Sequence, residues 1–182
     1  MDLFECMEAR RSIRRFTDKP VADEEIRRII NAGISAPSAG NMQAREFVLV
    51  RSREGRDKVA GATDAGGTSR GGITTQTWVA GAAVIIVICF DEKRMAARYG
   101  DKGRFVMTHL DCMAVAQNMM LAATALGLGS TCVIGFDPIA LKAAIPIPGE
   151  LTPFLLLPIG HPAEDPGPVY RLSYENVVRC EC

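Results

Sequence analysis

Ala82-Ala83-Val84-Ile85-Ile86-Val87-Ile88-Cys89-Phe90 is an unbroken run of small, β-branched and aromatic residues without a polar side chain. It is apolar on both faces, the pattern of a central strand covered from either side, and it predicts the core of a sheet. The whole apolar run, Val79 to Phe90, is too short for a helix that spans a bilayer.

Downstream, residues 104–126 are helical in composition and apolar almost all round, with Met107, Leu110, Met113, Val115, Met119, Met120 and Leu121, which predicts a helix buried on most sides. Gly127-Leu128-Gly129 ends it. A strand over 131–136, a short helix around 138–144 and a strand over 154–159 closing at Gly160 follow. Upstream, residues 46–51 read as a strand and 54–62 as an exposed charged helix. Residues 61–77 are Gly- and Thr-rich and predict a mobile loop. A helix from Asp23-Glu24-Glu25 to about Ile34 carries an apolar stripe of Ile26, Ile29, Ile30 and Gly33. Residues 2–11 form a first short helix whose last turn is arginine-rich. No internal repeat and no interdomain linker is visible, so residues 1–182 are expected to form a single domain. The proline-rich segment from His161 to Cys182 has little to pack on itself and reads as an arm that contacts a partner.

The 182 residues hold 21 Lys+Arg against 21 Asp+Glu, with 48% hydrophobic and 23% charged residues. That profile suits one globular domain, and zero net charge argues against nucleic acid or an acidic membrane surface as partner. Without an apolar leader at Met1–Ser12 the chain is expected in the cytoplasm. The cysteines Cys6, Cys89, Cys112, Cys132, Cys180 and Cys182 form no C-x-x-C pair and have no histidine at ligand spacing, so no metal site is expected. The first four sit in apolar segments and read as buried thiols; no role is assigned to Cys180 and Cys182.

Four places could carry chemistry. Arg10, Arg11, Ser12, Arg14 and Arg15 form the first; if the helix continues, Arg10 and Arg14 share a face and with Ser12 could hold a phosphate, the alternative being a solvated basic face. The second, Pro37-Ser38-Ala39-Gly40-Asn41-Met42-Gln43, pairs small side chains that admit a planar ligand with amides that can read a ring edge, or simply terminates a helix. Gly127 to Ser130 leading to Ile134-Gly135-Phe136 is a third, or only a tight turn. Arg171 is a lone cation in the arm.

Taken in order, R-R-S-I-R-R-F, A-P-S-A-G-N-M-Q, N-M-M-L-A-A-T-A-L-G-L-G-S before V-I-G-F-D, and L-P-I-G-H-P-A-E-D-P before Arg171 resemble the nitroreductase family of flavin enzymes, from Leu3 to Val178. The resemblance implies an α+β fold, a central mostly antiparallel sheet flanked by helices, working as an intertwined homodimer with FMN at each subunit interface. By position, Arg10, Arg11, Ser12, Arg14 and Arg171 would bind the FMN phosphate and ribityl chain. Pro37, Ser38, Ala39, Asn41 and Gln43 would reach the ring from the other subunit, and Cys132, Ile134 and Gly135 would line its opposite side. The family often has Pro-Trp after the Gln of the second motif; here Ala44-Arg45 follows, which alters either the pocket wall or only the strand entry.

The implied activity is an FMN-dependent oxidoreductase that takes hydride from NADH or NADPH and reduces an electron-poor small-molecule acceptor by ping-pong turnover. The flavin carries the chemistry, so no catalytic side chain is required. Two alternatives come from other classes: a flavin storage or sensing protein without efficient turnover, and a hydrolase using Cys132 or Cys112, which lacks an identifiable activating base.

Overall fold

The computed structural model describes residues 1–64 and 75–180; most of the glycine- and threonine-rich stretch predicted over 61–77, and Cys182, lie outside the described residues. The predicted central strand is β2 (Val84–Asp91), buried along its whole length apart from Asp91. It pairs antiparallel with β1 (Arg45–Val50) on one side and β4 (Leu151–Gly160) on the other, with a register shift between Ile88 and Cys89. β3 (Gly129–Ser130) adds to the far side of β4, so the order is β1-β2-β4-β3.

Alternation along β2 divides the core into two layers. Val84, Ile86 and Ile88 pack with Leu155, Leu157 and Ile159 of β4 against α2 (Asp23–Ile34) and α5 (Thr108–Ala125). Ile85, Val87 and Cys89 face the other way, against α3 (Arg53–Gly61), the 3₁₀ turn Thr77–Gly81 and α6 (Pro138–Ala144). Helices thus cover both faces, which is why the strand tolerates no polar residue. Each fully buried Ile or Leu contributes about 1.5–3 kcal/mol.

Helix starts follow their caps. Asp2 accepts from Glu5 N while Glu5 accepts from Asp2 N, fixing α1 (Leu3–Ala9). Ser52 caps α3, and Asp137 caps α6 with Pro138 in its first turn. α4 (Glu92–Lys102), capped by Asp91, was not predicted; a π turn, Gly103–Met107, joins it to α5. The arm holds one further short helix, α7 (Tyr174–Val177). No described helix is long and apolar enough to cross a membrane.

Two predicted elements need correction. The first helix ends at Ala9, its last turn holds no basic residue, and Arg10 is already extended, so Arg10 and Arg14 do not share a helical face. Edge pairing wins there: Ser12 bridges Ser130 in parallel, Ile13 N donates to Ser130 O, and Ile13 is buried. The strand predicted over 131–136 does not form: continuous pairing is confined to Gly129–Ser130 just before it, and within the span Val133 and Phe136 make only isolated bridges, to Leu156 and Thr63. In that register Thr131 falls opposite Pro158, whose nitrogen has no hydrogen to give, so the ladder breaks.

Candidate functional site

The arginine segment lies beyond the end of α1, where it is laced to residues 161–167. Thr17 N donates to His161 O and Ala163 N to Arg15 O. The Glu164 carboxylate accepts from Arg14 N at 2.6 Å and Arg15 N at 2.9 Å. Those bonds, Arg14's first, hold its carboxyl below the usual range. The Arg11 guanidinium is committed to carbonyls: its Nε donates to Gly167 O at 2.7 Å, and its Nη1 to Glu8 O and Arg10 O. Arg10 and Arg14 differ. Among the described residues neither has a carboxylate partner in an ion pair, and the Ser12 hydroxyl makes no hydrogen bond; Arg14 lies 6.0 Å from the Trp78 ring centre.

Beside this segment runs the 130–135 stretch. Ser130 Oγ is buried and has no hydrogen-bond partner among the described residues. Cys132 is half-buried, its Sγ 3.7 Å from Met120 Sδ; burial raises its pKa while the Arg10 cation opposes the rise. Ile134 is 70% exposed. Gly135 is locked: its carbonyl accepts from Asp64 N and Gln76 Nε2, and a Cβ there would lie 2.4 Å from Asp64 O. Only glycine lets the two backbones approach so closely.

The 37–43 loop is built differently. Gly40, Asn41 and Gln43 have φ of 54°, 55° and 49°, and the left-handed conformation costs the non-glycine residues roughly 1–2 kcal/mol each. Hydrogen bonds over-determine it. Gln43 N donates to Ser38 Oγ, Arg98 Nη1 to Gly40 O and Arg94 Nη1 to Gln43 O. From beneath, Ala39 N donates to both oxygens of Asp111 at 3.1 Å, and Arg45 Nη2 donates to Ile34 O and Ala36 O at 2.8 Å. Burial raises the Asp111 pKa, opposed first by the Ala39 N–H and then by the Arg45 charge.

A single chain does not bring these groups together. Ser12 bridges Ser130, which lies beside Ile159 and hence at the Val84 end of the sheet, whereas the loop feeds Arg45 opposite Phe90. The six residue steps from Val84 to Phe90 are roughly 20 Å, and β1 and β3 are three strand spacings of about 4.8 Å apart. Arg171 joins neither group: it lies exposed in the arm, where Nη1 donates weakly to Tyr170 O. Several large apolar residues are also exposed, including Tyr170, Leu172 and Val177 of the arm, Leu110 and Met113 of α5, and Phe4 and Met7 of α1.

Sequence reasoning passed over Arg45 as a loop support, and Asp111, Glu164 and α4 altogether. Asp111 carried a usable signal, being a lone acid in an otherwise apolar helix. The thiols of Cys89 and Cys112 are pushed up to about 12, mainly by burial. Neither is a nucleophile near neutral pH, which removes Cys112 from the hydrolase alternative. His109 packs between Phe90 and Phe154, with ring centres 5.1 and 5.0 Å away, as part of the core edge.

The donor set fits a phosphate-bearing planar group. Two guanidinium groups without an ion pair among the described residues, on either side of the Ser12 hydroxyl, can compensate a dianionic phosphate, and Ser130 Oγ, with no partner among those residues, leaves hydrogen-bonding capacity beside them. Such a sheet, enclosed by helices, with a candidate anion-binding segment at one end and a strained small-residue loop at the other, defines an α+β domain with a candidate ligand site. The family model for the nitroreductase family matches residues 7–161, and the chain belongs to that family. A Methanothermobacter thermautotrophicus protein, provisionally described as an NADH dehydrogenase/NAD(P)H nitroreductase, is 33% identical over 92% of this chain and 81% of its own. The crystal structure of a nitroreductase family protein from Streptococcus pneumoniae superposes with a TM-score of 0.84 at 26% identity, covering 99% of this chain and all of that one. The NADPH:FMN oxidoreductase of Vibrio harveyi, solved with NAD+, gives 0.82 at 29% identity, covering 99% of this chain and 77% of that one.

Proposed function

We propose that the protein is an NAD(P)H-dependent flavin oxidoreductase that binds FMN, accepts hydride from NADH or NADPH, and reduces an electron-poor acceptor such as a nitroaromatic or quinone by ping-pong turnover. The observation that carries the reading is the pair of unpaired guanidinium groups, Arg10 and Arg14, flanking the free Ser12 hydroxyl in a chain of this family. The Vibrio harveyi relative, whose name specifies NADPH and FMN and which was solved with NAD+, supports the choice of cofactor and donor. FMN, when bound, supplies the hydride chemistry.

The chain's own residues bind and orient it. Arg10, Ser12 and Arg14 hold the phosphate, with Arg171 delivered by the arm, and Arg11 keeps the segment and the arm's first residues in register. Cys132, Ile134 and Gly135 line one side of the ring. Pro37, Ser38, Ala39, Asn41 and Gln43 come to the other side from a second subunit. That allocation follows from the distance between the two groups within one chain, and it requires a homodimer. The bare apolar residues of α1, α5 and the 161–182 arm supply the surface for it. Two equivalent FMN sites between the subunits of the dimer, one for each chain, and one domain per chain complete the reading.

The test is the visible spectrum of purified protein with FMN, followed anaerobically by NADH and then NADPH. Bleaching by either is the expected result and identifies the preferred donor. Binding without bleaching would assign storage or sensing instead, and no binding would refute the assignment of Arg10, Ser12 and Arg14.

A further inference from the structure

Arg45 stands where the family often carries Trp, and the structure shows where the change leads. Its side chain turns beneath the loop, only 9% exposed, and its two terminal nitrogens donate to the carbonyls of Ile34, Ala36 and Pro37. Three consecutive-turn carbonyls on one planar fork is a geometry that guanidinium satisfies and ammonium does not. Opposite it, Asp111 in the first turn of α5 is equally buried and takes the Ala39 N–H on both carboxylate oxygens. Carbonyls at and just past the end of α2 are thus held by Arg45, and the Ala39 amide just before the left-handed residues is held by Asp111. Their opposite charges interact in the same buried space.

We propose that Arg45 and Asp111 are the positioning pair for the 37–43 loop, setting from below the backbone that Asn41 and Gln43 present to the flavin ring. The inference rests on the flavin reading above. The other supports of the loop, Arg94 and Arg98, are exposed and grip only single carbonyls. The buried pair supports the loop through side chains of the same chain, and on this proposal the loop is shaped before the flavin arrives, so that binding does not have to order it.

The experiment compares Asp111→Ala, Asp111→Asn and Arg45→Met with the parent protein in two measurements: amide hydrogen exchange of FMN-free protein, and FMN affinity by flavin fluorescence. Asp111→Ala and Arg45→Met are expected to speed exchange over 39–43 by about tenfold or more while 85–88 in β2 stays protected, and to weaken FMN by about tenfold. Asp111→Asn keeps an oxygen for the Ala39 N–H and is expected to stay within about threefold of the parent in both. Loss in Asp111→Asn as deep as in Asp111→Ala would overturn the proposal, as would parent-like loop exchange in Asp111→Ala and Arg45→Met. If Asp111→Ala does not fold, Arg45→Met set against Asp111→Asn decides in the same way. Failure of the parent to bind FMN would instead sink the flavin reading, and the exchange data would still judge the pair.

Discussion

Replacing Arg10 or Arg14 by Ala isolates the charge that the site devotes to its ligand. Neither guanidinium has a carboxylate within ion-pair distance among the described residues; truncating Arg10 leaves no protein acid without its cation, and truncating Arg14 removes only the smallest of the influences that lower the Glu164 carboxyl. The fold should hardly respond, and unfolding free energies are expected within about 0.5 kcal/mol of the parent. Flavin binding should respond strongly. Each side chain supplies a charge-assisted hydrogen bond to phosphate, a loss of about 1.5–3 kcal/mol, which is roughly 10- to 150-fold in Kd. Arg10 is half-buried beside Cys132 and belongs toward the upper end. Arg14 is exposed, its interaction is better screened by water and salt, and it belongs toward the lower end. The double variant should lose less than the sum, because the two cations share one phosphate. Fluorescence titration with FMN at two salt concentrations, with denaturation as control, reads all of this. Affinities within about threefold of the parent in both folded variants would refute the reasoning and move the phosphate elsewhere.

Glycine positions offer a second check on the geometry. Gly135→Ala places a Cβ 2.4 Å from Asp64 O, a backbone atom held in turn by Gln76 Nε2, and should cost about 1–3 kcal/mol in urea denaturation. Gly33→Ala meets Met119 Cε and Cγ and Val115 Cγ1, both residues fully buried, and the gain of about 1 kcal/mol in helix propensity should offset only part of that overpacking in the same denaturation assay. Glu164 gives a pH prediction. Its folded-state pKa is lowered, so its contribution is present above the ordinary carboxylate range and is lost as pH falls through the lowered value. Protection of the Arg14 and Arg15 amides, measured against their intrinsic exchange rates, should fall over that acid window, and Glu164→Gln should remove this pH-dependent part of the protection.

The sheet's centre was legible because composition alone carries it: a segment apolar on both faces must be covered on both faces, and 84–90 is so covered. The helix starts at Asp2, Ser52 and Asp137 are equally local, since a cap and the amide it satisfies lie within three residues. Elements whose fate depended on a distant partner were misread. The helix over 2–11 stops short because Ile13 finds Ser130, and the strand over 131–136 breaks because Pro158 sits opposite Thr131.

Sequence by itself determined the residues of the candidate site: the order of four motifs singled out Arg10, Ser12, Arg14, the 37–43 loop and 132–135, and the family they resemble is the one to which the chain belongs. Only the tertiary structure decided which cations remain free for a ligand. Arg11 and Arg14 differ little as letters, yet one guanidinium is spent on the carbonyls of Glu8, Arg10 and Gly167 and the other is not. It also decided that Arg45 and Asp111 meet the ends of one loop from different elements. Hydrogen-bond partners across such sequence separations are set by how the layers pack, and local pattern does not encode them.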